Sequence, residues 1–335
     1  MSIIRLTQGG GGEATANLIK EVFWSRLNNF ELQKGNDAAI LRYNGGNLAF
    51  TTDSFVITPW KFPGGDIGKL AVCGTINDLA VMGATPLGIA ISFIIEEGFA
   101  LADLETIAQS LAETAQAAGV AVVTGDTKVV NQGAADGIFI TTSGVGTVAE
   151  GIKLGGEMAQ PGDQVLVTGT LGDHGAAVLL ARGEWGLSSE LQSDVAPLNG
   201  LLLPLVEEFG NKIRVMRDPT RGGLATTLNE IAQQSKVAIR LQEEALPIRP
   251  EVRGLAELLG LDPLYLANEG KALIVVAPEV AIPILESLQK TSLGENAAII
   301  GVLEAEHPGL VSLRTRSGGE RILPLGSGEH LPRIC

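Results

Sequence analysis

A glycine- and proline-rich stretch in the middle of the chain separates two series of predicted short strands. It contains Gly151, Gly155-Gly156 and Pro161-Gly162, and residues of these two types interrupt helices and strands. The chain has 335 residues, of which 45% are hydrophobic, so each half is long enough to bury a core of its own. We therefore predict two domains, residues 1–155 and 156–323, followed by a C-terminal tail, residues 324–335.

The charge balance excludes several classes of partner. The chain carries 38 acidic and 24 basic residues, a formal net charge of −14, and its basic residues are not clustered. Binding to nucleic acid or to an anionic membrane is therefore disfavoured.

The cysteine count and the apolar segments bear on the compartment. Two cysteines cannot form a disulfide framework. No apolar export signal follows the first residues, and the apolar runs are too short to span a bilayer. We expect a soluble, cytoplasmic protein.

Four aspartates in the first half of the chain lie among apolar residues, at predicted strand ends or on an apolar helix. They are Asp37, Asp53, Asp78 and Asp126. One such carboxylate is typical of a helix cap or a turn, but four are costly to bury unless they are paired or bind a cation. Carboxylates are preferred ligands of Mg²⁺, which also binds phosphate oxygens. We therefore predict that the four aspartates converge on a divalent metal ion and a phosphate group.

Four consecutive glycines, Gly9 to Gly12, precede the first predicted helix. Their backbone amides can approach a bound ligand closely, although a flexible leader would have the same composition. The stretch is not a Walker loop, because no Gly-Lys-Ser/Thr follows at the required spacing. A dinucleotide fingerprint is also excluded, since the best match, Gly144 to Gly146, leads into a loop rather than a helix. Any phosphate binding must therefore use another arrangement.

The second half contains two candidate proton-transfer groups. His174 lies in a glycine-rich turn before a predicted helix, where a histidine serves either as an acid–base group or as a cap. Glu269 precedes a predicted buried strand and is a candidate base or metal ligand, with an ion pair to Lys271 as the alternative. Between them, the segment 217–224 places two arginines before a helix N-terminus, which favours an anion.

The chain ends on a thiol, Cys335. Chain ends are usually mobile, and about 35–40 Å of extended chain separates Pro324 from this cysteine. The positive charge of Arg333 favours the thiolate, whereas the adjacent terminal carboxylate opposes it. We predict that a mobile tail carries Cys335, with a covalently attached group, into an active site of the same subunit or of a partner. An incidental thiol is the alternative.

These features together resemble the HypE family of hydrogenase maturation factors, the carbamoyl dehydratases, over essentially the whole chain. The matching segments are 35–39, 51–55, 74–84, 123–130, 217–224, 267–271 and 331–335. The aspartates and the segment 217–223 also resemble the wider superfamily of aminoimidazole ribonucleotide synthetase, selenophosphate synthetase and thiamine-monophosphate kinase, which indicates use of ATP. The terminal Pro-Arg-Ile-Cys singles out the HypE family. Asn36 departs from the second acid that related sequences often carry, so the number of metal ions stays open.

The resemblance implies an α+β fold with two PurM-like domains. The N-terminal domain would bind ATP and Mg²⁺ and form a homodimer through its sheet, and a C-terminal α/β domain would pack beside it. The implied reaction begins when a carbamoyltransferase, HypF, places a carbamoyl group on Cys335. The enzyme then dehydrates S-carbamoyl to S-cyanate with ATP, and the cyanide passes to a HypC–HypD complex as a ligand of the [NiFe]-hydrogenase iron.

The resemblance and the residue chemistry together give a predicted site. The catalytic residues are Cys335, His174 and Glu269, and the choice of base between the last two stays open. The predicted ATP-binding residues are Gly10, Gly11, Gly12, Asp37, Asp53, Asn77, Asp78, Asp126, Thr127, Lys128 and Arg221, and the four aspartates among them are also the predicted metal ligands. Two rival functions stay open: an ATP-dependent kinase or synthetase of a diffusible small molecule, and a non-catalytic scaffold whose tail docks on a partner.

Overall fold

A computed structural model of the protein describes residues 8, 12–27, 29–43, 45–183, 186–187, 189–326, 331 and 333–335, without the side chains of Trp24 and Leu32. Two large sheets, one of five strands and one of seven, form the centres of two domains, and helices pack on both. This arrangement confirms the predicted α+β fold. Among the described residues, no helix has both the length and the apolar composition needed to cross a lipid bilayer.

The N-terminal domain is built on the five-stranded sheet. Its strands are β1 (Ala39–Tyr43), β2 (Gly46–Phe55), β5 (Ala84–Glu96), β6 (Val122–Val130) and β7 (Ile138–Val148), and β3 (Lys61–Phe62) pairs with β4 (Gly65–Asp66) in a small hairpin. Its helices are α1 (Gly12–Leu18), continued by a π-helical turn (Ile19–Trp24), α2 (Phe30–Gln33), α3 (Ile67–Val81) and α4 (Leu101–Ala117). The strand order is β1-β2-β7-β5-β6, antiparallel except for the parallel pair β5 and β6.

Helix α3 is buried on nearly all sides and carries part of the candidate site. Asp66 caps its N-terminus, because the carboxylate accepts hydrogen bonds from the backbone N–H groups of Gly68 at 2.8 Å and Lys69 at 3.0 Å. The helix packs on β2, β5 and β7 of the first sheet, and Ala80 and Val81 near its end join the core of the C-terminal domain. The position of α3 is therefore fixed by both domains.

The C-terminal domain has helices on both faces of its seven-stranded sheet. Its strands are β8 (Gln164–Val167), β9 (Ile213–Arg217), β10 (Ala238–Gln242), β11 (Leu273–Val276), β12 (Ala298–Glu304), β13 (Val311–Arg314) and β14 (Glu320–Ile322), and its helices are α5 (Asp173–Ala181), α6 (Asn199–Phe209), α7 (Gly223–Ser235), α8 (Pro250–Leu259) and α9 (Ala281–Gln289). The strand order is β14-β13-β10-β12-β8-β11-β9. Alternate residues of a strand face opposite sides, so Val165 joins the core under α7 and Leu166 joins the core under α6 and α9.

The connection between the two sheets runs from Val148, where β7 ends, to Gln164, where β8 begins. The predicted boundary between residues 155 and 156 lies in this connection, and the predicted start of the tail lies after β14. The individual domain limits stay predictions.

The last three residues lie against the segment that follows β2. The Val56 N–H donates to the Cys335 carbonyl at 2.9 Å, and the Thr58 N–H donates to the Arg333 carbonyl at 3.2 Å. Between these two bonds, the side chain of Ile334 is only 4% exposed and belongs to the N-terminal core. The chain thus holds its own terminus against its N-terminal domain, and the mobility of the tail stays a prediction.

Candidate active site

The candidate active site is a cleft of about 510 Å³ to which both domains contribute. The N-terminal domain lines it with one side of α1, the residues 51–53 of β2 and Asp78 of α3. The C-terminal domain lines it with the turn between β9 and α7 and with the first turns of α7. Ligand sites are often found in clefts between domains.

Three carboxylates meet at the floor of this cleft. Asp37 precedes β1, Asp78 lies in the last turn of α3, and Asp218 follows β9. One oxygen atom from each of them lies within 4.8 Å of the others. Oxygen atoms at this spacing fit a Mg²⁺ ion, which is bound by one or two carboxylates together with water and substrate phosphates. Asp218 is a ligand candidate that the sequence analysis did not include.

Burial raises the pKa values of the three carboxyl groups. The pKa of Asp37 rises to about 6, although the guanidinium of Arg217 opposes the effect. The pKa of Asp218 rises to about 8 through burial and the negative charge of Asp37, and that of Asp78 rises well above its usual value. The aspartates therefore repel one another when ionised, and a bound cation would relieve that repulsion.

Hydroxyl groups and one arginine hold the acidic side chains in place. Thr51 Oγ1 lies 2.6 Å from Asp78 Oδ2, and Thr75 donates to Asp53 Oδ2 at 2.8 Å. Burial raises the pKa of Asp53, and the hydrogen bond from Thr75 lowers it. Arg217 Nε lies 2.7 Å from Asp37 Oδ2. Asp53, on strand β2, lies close enough for its charge to raise the pKa of Asp78.

Cys335 interacts electrostatically with Arg221, which lines the same cleft. The pKa of Arg221 is raised, and the negative charge at Cys335 is the largest cause, ahead of the negative charges of Asp53 and Glu269. Arg221 also lines the cleft with the aspartates. The structure thus brings the chain terminus, a cationic side chain and the acidic cluster into one region.

Glu269 is a buried carboxyl group in this region. Its side chain belongs to a residue that is 3% exposed, and within the described part of the chain its Oε1 atom has no hydrogen-bond partner. Burial and the neighbouring Asp218 raise its pKa well above the usual value, while Arg221 lowers it. The alternative ion pair with Lys271 is not formed, because the Lys271 ammonium lies 3.7 Å from Asp194 instead.

His174 is fully buried at the start of α5, and both of its ring nitrogens have partners. Nε2 lies 2.8 Å from the Ile334 carbonyl oxygen, and Nδ1 lies 2.8 Å from Ser193 Oγ. Burial lowers the pKa of His174, so the neutral ring is favoured. The imidazole contacts the tail.

The segment 126–128 lies away from the cleft in this chain. Asp126 is on the exposed edge strand β6, where a hydrogen bond from Lys128 lowers its pKa. The strand register places Asp126 in line with Ser54, the neighbour of Asp53, with β5 and β7 between them. Three strand spacings give a separation of about 14 Å. One chain therefore brings together Asp37, Asp53 and Asp78 but not Asp126, Thr127 and Lys128.

Asn77 lies away from the cleft, whereas Gly12 of the glycine stretch lines it. The Asn77 amide is buried between the domains, where Nδ2 donates to the carbonyls of Ala196 at 3.1 Å and Glu269 at 3.3 Å, and Oδ1 accepts from Leu198 N at 2.8 Å. In this structure its polar atoms bind backbone and do not line the cleft. Gly12 does line the cleft, and Gly10 and Gly11 lie outside the described residues.

The conformation of Gly12 ties α1 to the end of the C-terminal domain. Its φ angle is +72°, and an added Cβ atom would collide with the carbonyl of Gly326. The Glu13 N–H donates to that same carbonyl at 3.0 Å. A larger residue would therefore push α1 away from the segment that leads into the tail.

Comparisons with known proteins cover both domains. The family described as AIR synthase related protein, N-terminal domain, matches residues 35–148, and the corresponding C-terminal domain family matches residues 160–312. The carbamoyl dehydratase HypE of Rhizobium leguminosarum bv. viciae is 50% identical over 332 residues, which cover 99% of this chain and 95% of that protein.

Two solved structures are similar over nearly the whole chain. One chain in a crystal structure of a HypE–HypF complex is 48% identical, with a TM-score of 0.88, and the match covers 92% of this chain and 99% of that one. A crystal structure of HypE in complex with ATP is 45% identical, with a TM-score of 0.83, and the match covers 99% of this chain and 100% of that one.

Proposed function

The chain belongs to the HypE family of carbamoyl dehydratases, enzymes of hydrogenase maturation, and from this premise we propose that it converts an S-carbamoyl group on Cys335 to S-cyanate. Both domains have the predicted PurM-like fold. The proposal is supported above all by the electrostatic interaction of Cys335 with Arg221, which lines the cleft that holds the aspartates. A terminal thiol at this position presents a covalently attached substrate to that cleft.

The proposed second substrate is ATP. In the reaction, the carbamoyl oxygen attacks the γ-phosphorus, and the bond between that phosphorus and the ADP oxygen breaks. The carbamoyl nitrogen then loses two protons, the carbon–oxygen bond breaks, and phosphate leaves. The carbon keeps its bond to the Cys335 sulfur and becomes the nitrile carbon of S-cyanate. Positioning and charge neutralisation dominate such phosphoryl transfers, and a relative solved in complex with ATP supports this choice of substrate.

The acidic cluster is the proposed Mg²⁺ site. Asp37, Asp78 and Asp218 offer oxygen atoms at a suitable spacing, and Asp53 lies beside them. A bound Mg²⁺ supplies positive charge that neutralises the phosphates of the nucleotide. Arg221 would add a fixed positive charge near Cys335.

Glu269 is the proposed base. Its Oε1 atom has no hydrogen-bond partner among the described residues, and its raised pKa makes the ionised carboxylate more basic than usual. His174 is less suited to the role, because its Nδ1 atom faces the Ser193 hydroxyl and its Nε2 atom faces a carbonyl. We therefore assign the removal of the N–H protons to Glu269.

The exposed sheet face and edge of the N-terminal domain are the proposed homodimer contact. Leu41, Tyr43, Phe50 and Ile94 lie on the face away from α3 and are 41–49% exposed. Edge strand β6 is exposed along nearly its whole length. Apolar faces and open edges of this kind favour association. In a dimer through this surface, residues 126–128 of one copy would complete the cleft of the other.

The proposal also names two partner proteins and a cellular compartment. A relative has been solved as a complex with HypF, which supports HypF as the enzyme that loads the carbamoyl group here. The proposed acceptor of the cyanide is a HypC–HypD complex. The proposed compartment is the cytoplasm, because a carrier thiol must stay reduced.

Mass spectrometry of the C-terminal peptide tests the proposal. The chain is incubated with HypF, carbamoyl phosphate and ATP, with and without Mg²⁺. The expected result is the gain of one carbamoyl group at Cys335, followed by the loss of one water only when ATP and Mg²⁺ are present. A C-terminal peptide in which Cys335 never gains a carbamoyl group would contradict the proposal. ATP turnover that survives Cys335→Ser and requires an added small molecule would favour a kinase or synthetase, and a chain without ATP turnover would favour a scaffold.

A further inference from the structure

Three consecutive carbonyl groups at the end of the chain each accept a hydrogen bond. The carbonyls of Arg333 and Cys335 point to the segment 56–58, which donates to both. The carbonyl of Ile334 points the other way, as expected where alternate carbonyls of a segment face opposite sides. Its partner is Nε2 of His174. Because Ile334 is 4% exposed, its carbonyl would lack a replacement partner without this donor.

The hydrogen-bond partners require one tautomer of His174. A carbonyl oxygen can only accept, so the Nε2 atom must carry the proton that faces Ile334. In the neutral ring, Nδ1 is then an acceptor, and the Ser193 hydroxyl is the group that donates to it. Ser193 is itself held in place, because its Oγ atom accepts from Val195 N at 3.1 Å and its N–H donates to the carbonyl of Pro63 at 2.8 Å.

The surroundings restrict the ring further. The rings of His174 and Phe62 meet edge to face, with a centroid distance of 5.3 Å and an angle of 90° between their planes. On the other side of the tail, Arg182 donates to the carbonyls of Thr58 and Arg333, at 3.1 Å each. The imidazole is thus one of several rigid donors that surround the terminal main chain.

We propose that His174 is a positioning residue, whose Nε2–H group holds the Ile334 carbonyl and thereby fixes Cys335 beside Arg221. Ser193 selects the tautomer that makes this contact. The inference rests on the proposed function, since the position of Cys335 matters to the reaction only if its thiol carries the substrate. It assigns His174 a role other than proton transfer.

Two amide substitutions separate positioning from proton transfer. In His174→Gln, the side-chain amide nitrogen occupies the place of Nε2 and can still donate to Ile334. In His174→Asn, the shorter side chain places its amide near Nδ1, where it cannot reach that carbonyl. Neither amide can act as a base, so a proton-transfer role would make both variants equally slow.

The first readout is the rate of alkylation of Cys335 by iodoacetamide, which needs neither ATP nor HypF. Cys73 serves as the internal control, because it is fully buried and burial raises the pKa of its thiol. We expect His174→Asn to accelerate alkylation of Cys335 roughly five- to tenfold, the effect of losing one hydrogen bond, and His174→Gln to stay within about twofold of the parent. Equal acceleration in both variants, or none in either, overturns the proposal.

The second readout is the single-turnover rate of dehydration of carbamoylated Cys335. The rate should fall in His174→Asn and be largely retained in His174→Gln. Equal losses in the two variants with unchanged alkylation would identify His174 as a proton-transfer group and overturn the proposal. If the parent chain showed no dehydration at all, the proposed function would fail, whereas the alkylation result would still decide how His174 acts on the tail.

Variants of Ser193 test the same inference where changes at the buried His174 prevent folding. Ser193→Ala removes the donor to Nδ1 and should accelerate alkylation of Cys335, whereas Ser193→Thr keeps a hydroxyl and should preserve the parent rate. Equal rates in the two variants contradict the role given to Ser193. In the variant with His307→Gln and His330→Gln, His174 is the remaining histidine, and its ¹⁵N shifts should show a protonated Nε2 and an unprotonated Nδ1 at pH 7. The opposite tautomer overturns the proposal.

Discussion

The Val56 N–H donates to the Cys335 carbonyl at 2.9 Å. Val56 directly follows β2, the strand that carries Asp53 into the acidic cluster. The same stretch of backbone therefore positions an acidic side chain of the cleft and the last residue of the chain. This shared support explains how a terminus far away in sequence reaches the region of Arg221.

Replacing the thiol of Cys335 should leave the fold intact. Cys335 is only partly buried beside the N-terminal core, and serine has nearly the size of cysteine, so Cys335→Ser should change the Tm by less than about 2 °C. The same variant should accept no carbamoyl group from HypF. Differential scanning calorimetry and mass spectrometry measure the two effects. A large fall in Tm would show that the sulfur is part of the core.

Asp78 and the newly identified Asp218 should both be needed for ATP-dependent dehydration. Asp78→Asn and Asp218→Asn each remove a charged oxygen ligand, and we expect the rate to fall by at least about 10²–10³-fold. Isothermal titration calorimetry should show that both variants bind Mg²⁺ more weakly than the parent does. Glu105→Gln, an exposed change on α4, is the control and should behave as the parent. Normal Mg²⁺ binding in Asp218→Asn would exclude this residue as a ligand.

The pH dependence of stability should reveal the raised carboxyl pKa values. The pKa is about 6 for Asp37 and about 8 for Asp218 in the folded protein, against about 3.9 for an unfolded aspartate. Between these values the folded state binds more protons than the unfolded state. The stability that these protonated groups contribute is complete below the unfolded pKa and is lost as the pH rises through the folded pKa.

In EDTA, the Tm of the protein should therefore decrease as the pH rises from about 5 to 8. Asp218→Asn should flatten the upper part of that curve, because it removes a carboxyl group with a pKa of about 8. Saturating Mg²⁺ should flatten it in the parent, since the cation compensates the ionised carboxylates. A Tm in EDTA that rises steadily over the same range in the parent would argue against a raised pKa at Asp37 and Asp218.

Glu269→Gln should separate loading of the tail from dehydration. The substitution keeps the size of the side chain and removes its basic oxygen, so dehydration should slow by roughly 10²–10⁴-fold. Carbamoylation by HypF should continue at the parent rate. The Tm should not fall, because the variant no longer buries an acid with a raised pKa. Dehydration at a rate within a few-fold of the parent would show that another group is the base.

Mixing two inactive variants tests whether two copies build one site. Asp78→Asn should inactivate the cleft of its own chain, and Asp126→Asn should inactivate the cleft of its partner. In a mixed dimer, one cleft should receive both intact residues, so mixing should restore dehydration activity. Sedimentation analysis confirms the dimer. A dimer in which mixing restores nothing would place Asp126 outside the site.

The resemblance to a known family predicted the α+β class, whereas local patterns indicated several acidic residues of the cleft. Asp37, Asp53 and Asp78 each lie at a predicted strand end or on an apolar helix, and the structure brings them together. Asp218 has a similar signal, an acid directly after an apolar strand, but the two arginines that flank it indicate an anion site instead. The roles of these residues in metal binding stay predictions.

Other features depend on contacts between distant residues and leave no local signal. The partners of His174 are Ser193 and the carbonyl of Ile334, and no spacing rule links these residues. Asn77 resembles a ligand-binding residue in sequence because it stands beside Asp78. Its burial against the backbone of the C-terminal domain becomes evident only when the two domains are placed together.

The main-chain hydrogen bonds of residues 333–335 have a consequence for delivery of the cyanide to its acceptor. The hydrogen bonds described for this segment involve carbonyl groups and the arginine side chain, so their contribution to the binding free energy should be the same in the thiol, carbamoyl and cyanate forms. A chemical change at Cys335 shifts the equilibrium between the bound and the released tail only if it changes the free energy of binding. These main-chain contacts would then give no signal for the loaded tail to leave, and its departure would require an acceptor that binds the released end.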